Sequence, residues 1–299
     1  MTASGFRFQR YFELPTSLFR EPVCYWINPM KIPGVTFISL VFVTQLAAHD
    51  YWLEPDNFTP DVGENVSIRL FVGDHFLSEK ERVFRRKRTV MFQWLAMDRA
   101  FDLAAQGREG ARPFGQISPE LAGLHLLILQ RDWAYIELEA ERFNKYLEHE
   151  GLKGIQKLRR EAGRDNFVGK ERYRRYLKSL LQVGGQSDET WRRRIGHRLE
   201  IVPLTNPYGH RPGDCLTVLL LFDDKPLTAS QLEACHRGPD KVTTQTVSTD
   251  NAGQATIRLT HAGPWLLRLV HMQNCSDDPK VDWESFWAAY SFGLPKLKK

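Results

Sequence analysis

The sequence predicts a mainly β protein: two β-sandwich domains of immunoglobulin-like type, with a helical insertion in or after the first. Three observations carry this. Short apolar runs at strand spacing recur over residues 66–138 and again from residue 199 onward. Glycine-rich turn signals separate them, and only residues 137–183 show apolar residues at helical spacing instead.

In chain order, Val66, Ile68, Leu70 and Val72 alternate with polar or outward positions, the period of a half-buried strand. Strand-like runs follow at residues 88–95, 124–129 and 133–138, punctuated by Gly107, Gly110, Gly115 and Gly123. From Glu137 the spacing changes. Phe143, Tyr146 and Leu147 recur as one helix face, with Gly151 placed to end it. Leu152, Ile155 and Leu158 continue a second helical stretch. Tyr173, Tyr176, Leu177, Leu180 and Leu181 read as a third stripe, closed by Gly184-Gly185. Strands resume at 199–203, 216–222, 244–248, 255–259 and 265–271, with a strong hairpin turn at 249–253. Trp283, Phe286, Trp287 and Tyr290 read as a final core strand. The expected domains are 49–190, with the insertion at about 137–183, and 197–295.

Residues 1–48 read as an export signal. Lys31 precedes the apolar segment IPGVTFISLVFVTQL, and Ala47-Ala48 follow it. Charge, apolar core and small residues are the three parts of a cleavable secretory signal. The core is shorter than the roughly 20 apolar residues a membrane helix needs. Starting at Met30 gives a signal of ordinary length, so Met30 is the expected true start and His49 the expected mature N-terminus. The expected location is the periplasm, with no stable membrane span after processing.

Of the 299 residues, 42% are hydrophobic and 26% charged, an ordinary globular composition. The formal charge of +5 falls to +3 on removal of 1–48, which hold Arg7, Arg10, Arg20 and Lys31 against Glu13 and Glu21. The densest basic tract, Arg82 to Arg88, is the mark of a solvated loop or edge strand. No nucleic-acid motif accompanies it, and no nucleic-acid partner is expected. Cys24 leaves with the signal; among Cys215, Cys235 and Cys275 one pair could bridge in an oxidising compartment.

Several landmarks resemble a known family. They are His49-Asp50-Tyr51-Trp52-Leu53-Glu54-Pro55, Val72-Gly73-Asp74-His75-Phe76, Phe143-Asn144-Lys145-Tyr146-Leu147 with Glu150-Gly151-Leu152, and Glu171-Arg172-Tyr173. Further along come Leu199-Glu200-Ile201-Val202-Pro203, Thr249-Asp250 with Gly253, Trp265-Leu266 leading to Val270-His271-Met272, and Asp282-Trp283-Glu284-Ser285-Phe286-Trp287-Ala288. In order and spacing these resemble a family of periplasmic proteins catalogued as a domain of unknown function and related to NikM, the substrate-capture component of nickel/cobalt uptake systems. The resemblance implies a β-rich fold with a helical insertion and a relation to metal uptake through an inner-membrane transporter component.

Cleavage after Ala48 would leave His49 with a free α-amine beside its imidazole. Those two nitrogens close a six-membered chelate on one ion, and nitrogen donors favour nickel, cobalt and copper over harder ions. Two donors alone hold a metal weakly, so more must come from elsewhere. His75, after the strand ending near Val72, and His271, at the end of the run 265–271, are the expected partners. Asp50, Asp74 and Glu284 are expected to ligate or to fix imidazole tautomers. His125 reads as a core residue and His149 as a surface residue of the first helix. The expected function is non-catalytic binding or delivery of nickel, cobalt or copper. Two alternatives stand beside it: a copper histidine-brace oxidoreductase, and a carbohydrate-binding or structural envelope protein.

Overall fold

β1 (Asp50–Pro55) pairs antiparallel with β2 (Val66–Asp74), whose apolar residues alternate, and the two strands bury Trp52, Leu53, Val66, Ile68 and Leu70. The computed structural model describes residues 49–295. The expected signal, its cleavage after Ala48 and the start at Met30 lie outside the described residues.

The chain continues through β3 (Leu77–Arg82), β4 (Thr89–Ala96), β5 (Arg99–Asp102), the one-turn α1 (Leu103–Gln106), β6 (Gly115–Ile117), β7 (Gly123–Arg131) and β8 (Ala134–Leu138). Two helices follow, α2 (Ala140–His149) and α3 (Lys153–Glu161), then β9 (Gly169–Val183). The rest is β10 (Leu199–Pro203), β11 (Cys215–Phe222), the short β12 (Lys225–Pro226), β13 (Gln231–Arg237), β14 (Val242–Ser248), β15 (Gln254–Arg258), β16 (Gly263–Asn274) and β17 (Trp283–Leu294).

The protein is mainly β, and three layers of sheet organise it. A nine-stranded central sheet runs β14-β13-β16-β17-β9-β7-β4-β5, with β8 also on β9. One outer sheet joins β1, β2, β3 and β6; the other joins β10, β11, β12 and β15. Side chains alternate across a strand, so the central sheet feeds a core on each face. Leu127, Leu129, Leu177, Leu266 and Ala289 pack with Trp52, Ile68 and Leu70 of the first outer sheet. Leu126, Ile128, Leu180, Leu267 and Tyr290 pack with Ile201, Val218 and Ile257 of the second.

This differs from two separate sandwich domains at 49–190 and 197–295. The two halves share the central sheet, because β9 pairs in parallel with β17 from Trp283↔Glu171 to Ser291↔Ser179. The described residues, 49–295, fall within one compact unit. The expected third helical stripe is strand β9: Tyr176 and Leu180 face one core while Leu177 and Leu181 face the other.

Helix α2 ends as the sequence suggests. Gly151 takes φ 67°, and the Leu152 amide reaches back 2.8 Å to the Leu147 carbonyl, satisfying an otherwise free helix-end acceptor. This fixes His149 and Glu150 on the last turn. Phe143, Leu147 and Ile155 pack the two helices against Val270, Met272 and Trp287. No helix among the described residues is long and apolar enough to cross a membrane.

Candidate metal centre

Register places the first group of donors. Asp50 pairs with Gly73, so His49, one residue earlier, lies beside Asp74 at the end of β2. The His49 Nδ1 stands 3.1 Å from Asp74 Oδ1 and 3.7 Å from Glu79 Oε1. Glu79 arrives through a β-bulge: Val72 pairs with Lys80 but Gly73 with Ser78, leaving Glu79 as the extra residue. A bulge re-aims the side chain it carries, and here it turns Glu79 toward His49. Donor atoms of His49, Asp74 and Glu79 all lie within 4.8 Å of one another. The His49 carbonyl accepts a hydrogen bond from Arg175 Nη2 at 3.2 Å, which anchors the start of β1 to β9.

Behind His49 lies a cavity of about 210 Å³, walled by Tyr51, Tyr173 and Trp287, with Arg82, Arg175 and Glu171 among its lining groups. The Arg175 guanidinium sits 4.0 Å from the centre of the Tyr51 ring and 4.5 Å from that of Tyr173. Glu171 Oε1 accepts hydrogen bonds from Ser285 Oγ and from Tyr146 Oη. Burial pushes Glu171 up to about 7, against the pull of those donors and of Arg175. A carboxyl raised in the folded state contributes full stability below its unfolded pKa and loses it as pH rises through the folded one. Glu171→Gln, which cannot ionise, is therefore expected to gain on the wild type by about 2.5 kcal/mol between pH 5 and pH 8. Urea denaturation at the two pH values checks this.

A second group forms on Arg268 of β16. Its guanidinium pairs with Asp50 and with Glu150, and stands 3.5 Å from Glu233 of β13. Arg268, Asp50 and Glu150 are all buried. Burial pushes Asp50 up to about 7, helped by Glu150 and Glu233 and opposed by Arg268. At the mouth of this network, His75 Nδ1 lies 3.1 Å from Glu233 Oε1, and His149 Nδ1 lies 3.1 Å from Glu150 Oε1. The two imidazole rings face each other with centres 5.5 Å apart.

His75 reaches that place on a tight β2–β3 turn in which both central residues have positive φ, 48° for His75 and 65° for Phe76. That is the type I′ hairpin geometry, and it carries a strain cost for residues other than glycine. Phe76 holds it by burying its ring completely, against Trp52 at 5.4 Å and under Arg237 at 4.4 Å.

Of the expected site residues, the structure unites His49 with Asp74. His75 belongs with His149 and Glu233, and Asp50 binds Arg268. His271 and Glu284 do not join either group. Side-chain alternation turns His271 to the opposite face of the central sheet from Arg268, where its ring packs 4.2 Å from Phe222. It is also no strand end, since β16 runs on to Asn274. Burial pushes the His271 imidazole down to about 4. Glu284 shares that face, accepting from Arg172 Nε at 3.1 Å and Gln273 Nε2 at 2.6 Å. Cys275 and Asp277 cluster with Glu284, but Arg172 bridges Asp277 and Glu284 and fills the place a cation would take. Cys215, Cys235 and Cys275 are free thiols. The sequence reading missed Glu79, Glu150, Glu233 and Arg268 as site residues, and placed His149 on an unremarkable surface.

No curated protein matches the chain. Among solved structures, a crystal structure of Salmonella alpha-2-macroglobulin, mutant Y1175G, aligns at 9% identity and a TM-score of 0.18, covering 81% of this chain and 15% of that one. The model of one family matches residues 46–273, beginning just before His49 and ending inside β16. The chain belongs to that family, described as Domain of unknown function (DUF4198).

Proposed function

We propose that this is an exported, non-catalytic protein that binds a transition-metal ion, nickel, cobalt or copper, at His49, Asp74 and Glu79. Signal cleavage after Ala48 completes the donor set by freeing the His49 α-amine. The observation that carries the reading is the placement of the His49 Nδ1 beside two carboxylates. Nδ1 is the ring nitrogen that closes a six-membered chelate with the α-amine, so chelate and carboxylates converge on one point. The amine, with a reference pKa of about 7.7–8.0, gives up its proton to a metal at neutral pH at modest cost. The Arg175 contact to the His49 carbonyl holds that terminus in place.

The resemblance to NikM relatives suggests the use: capture of the ion in the periplasm and delivery to an inner-membrane transporter component. A copper brace of the oxidative kind asks for a second imidazole on the same ion, whereas the groups closest to the His49 ring are Asp74 and Glu79.

Equilibrium dialysis with nickel, followed by metal analysis, tests the reading on two chains: the mature form beginning at His49, and the same form with one extra alanine before it. The extra residue turns the amine into an amide. The mature chain is expected to bind at least tenfold more tightly at this site. Equal binding by the two chains overturns the reading.

A further inference from the structure

We infer that His75 and His149 form a second transition-metal site, ligating one ion through their Nε2 atoms. The two imidazoles come from distant parts of the chain, the β2–β3 turn and the last turn of α2, yet each has its Nδ1 against a carboxylate, half-buried Glu233 for His75 and buried Glu150 for His149. A neutral imidazole that donates its Nδ1 proton to a carboxylate leaves the Nε2 lone pair free. This carboxylate–histidine pairing is the arrangement that orients histidine ligands and raises their basicity. Here it occurs twice, on facing rings.

The spacing fits one shared ion. With metal–nitrogen bonds of about 2.0–2.1 Å and ring centres about 1.2 Å behind the nitrogens, two imidazoles at tetrahedral to trigonal angles have centres roughly 5.2–5.6 Å apart. The rings stand at 5.5 Å, tilted 59° to each other. Charge argues the same way. Asp50, Glu150 and Glu233 converge on Arg268, three carboxylates on one guanidinium. A divalent cation at the mouth would offset that excess where Arg268 cannot reach. Both side chains are about half exposed, which leaves open coordination positions toward solvent. The site uses neither His49 nor the α-amine, so it stands whether or not the first site does.

The test uses the mature chain carrying His49→Ala, which removes the imidazole of the first site. Titration with nickel chloride, followed by calorimetry, is expected to show one bound ion per chain. His75→Ala and His149→Ala are each expected to weaken it at least tenfold, and Glu233→Gln or Glu150→Gln by 10–100-fold through loss of ring orientation. Because the two histidines are half exposed, their truncation leaves the core intact, and His149→Gln serves where His149→Ala does not fold. Copper(II) electron paramagnetic resonance gives an independent readout: nitrogen coupling from two imidazoles in the parent, and from one in each single variant. No bound ion in the parent, or binding unchanged in the His75→Ala/His149→Ala double variant, overturns the inference.

Discussion

Arg268→Ala is expected to cost about 3–5 kcal/mol at pH 7.5, because removing one partner from a buried ionic group leaves the others uncompensated. Arg268 is the cation against which Asp50, Glu150 and Glu233 are held, and all three come from elements outside β16. Without it, the cheapest response for the orphaned carboxyls is to take up protons, so their folded-state pKa values rise. Stability gained by a raised carboxyl is present below its unfolded pKa and lost as pH rises through the folded one. The deficit of the variant should therefore be smaller at pH 5 than at pH 7.5. Urea denaturation of wild type and variant at both pH values checks the size and the sign. A deficit that grew toward pH 5 would show that Arg268 acts through packing on Trp287 rather than through charge.

Strand β2 was legible because only one of its faces borders a core, which leaves a clean period of two. Residues 66–72 show it, and the structure places β2 there. Strand β9 was not legible, for the opposite reason. It lies in the middle of the central sheet with a core on either face, so its apolar residues run together and Tyr173, Tyr176, Leu177 and Leu180 fall by chance at helical spacing. A strand buried on both sides carries no period to distinguish it from a buried helix. The same parallel pairing of β9 with β17 joins the two halves, across more than a hundred residues of sequence that carry no trace of it. At the site, Asp74 could be read because it sits in the hairpin opposite the start of β1. His149 could not, because its importance comes from His75, Glu233 and Arg268, which arrive from other elements to meet it and its neighbour Glu150. His271 was misplaced by one residue of strand parity: its neighbour Val270 faces the helices, while His271 faces Phe222.

Gly73→Ala is expected to destabilise the fold by about 2–3 kcal/mol and to lower metal loading at both proposed sites together. A Cβ at position 73 would lie 1.8 Å from the carbonyl oxygen of Leu77 and 3.0 Å from the Glu79 amide nitrogen. Those are backbone atoms of the paired strand and cannot rotate away, so β2 and β3 must separate locally, a forced overpacking with costs of this size. The separation acts on each site by a different route. It shifts the bulge that turns Glu79 toward His49, and it loosens the turn that holds His75 in its positive-φ conformation against Glu233. The fully buried rings of Trp52 and Phe76 anchor the neighbouring positions, so the disturbance should stay within the hairpin and leave the rest of the first outer sheet paired. Thermal denaturation measures the stability change, and nickel titration of the mature variant counts the ions. If stability fell while both ions still bound with wild-type affinity, the hairpin would be a structural edge, with no part in positioning either set of donors.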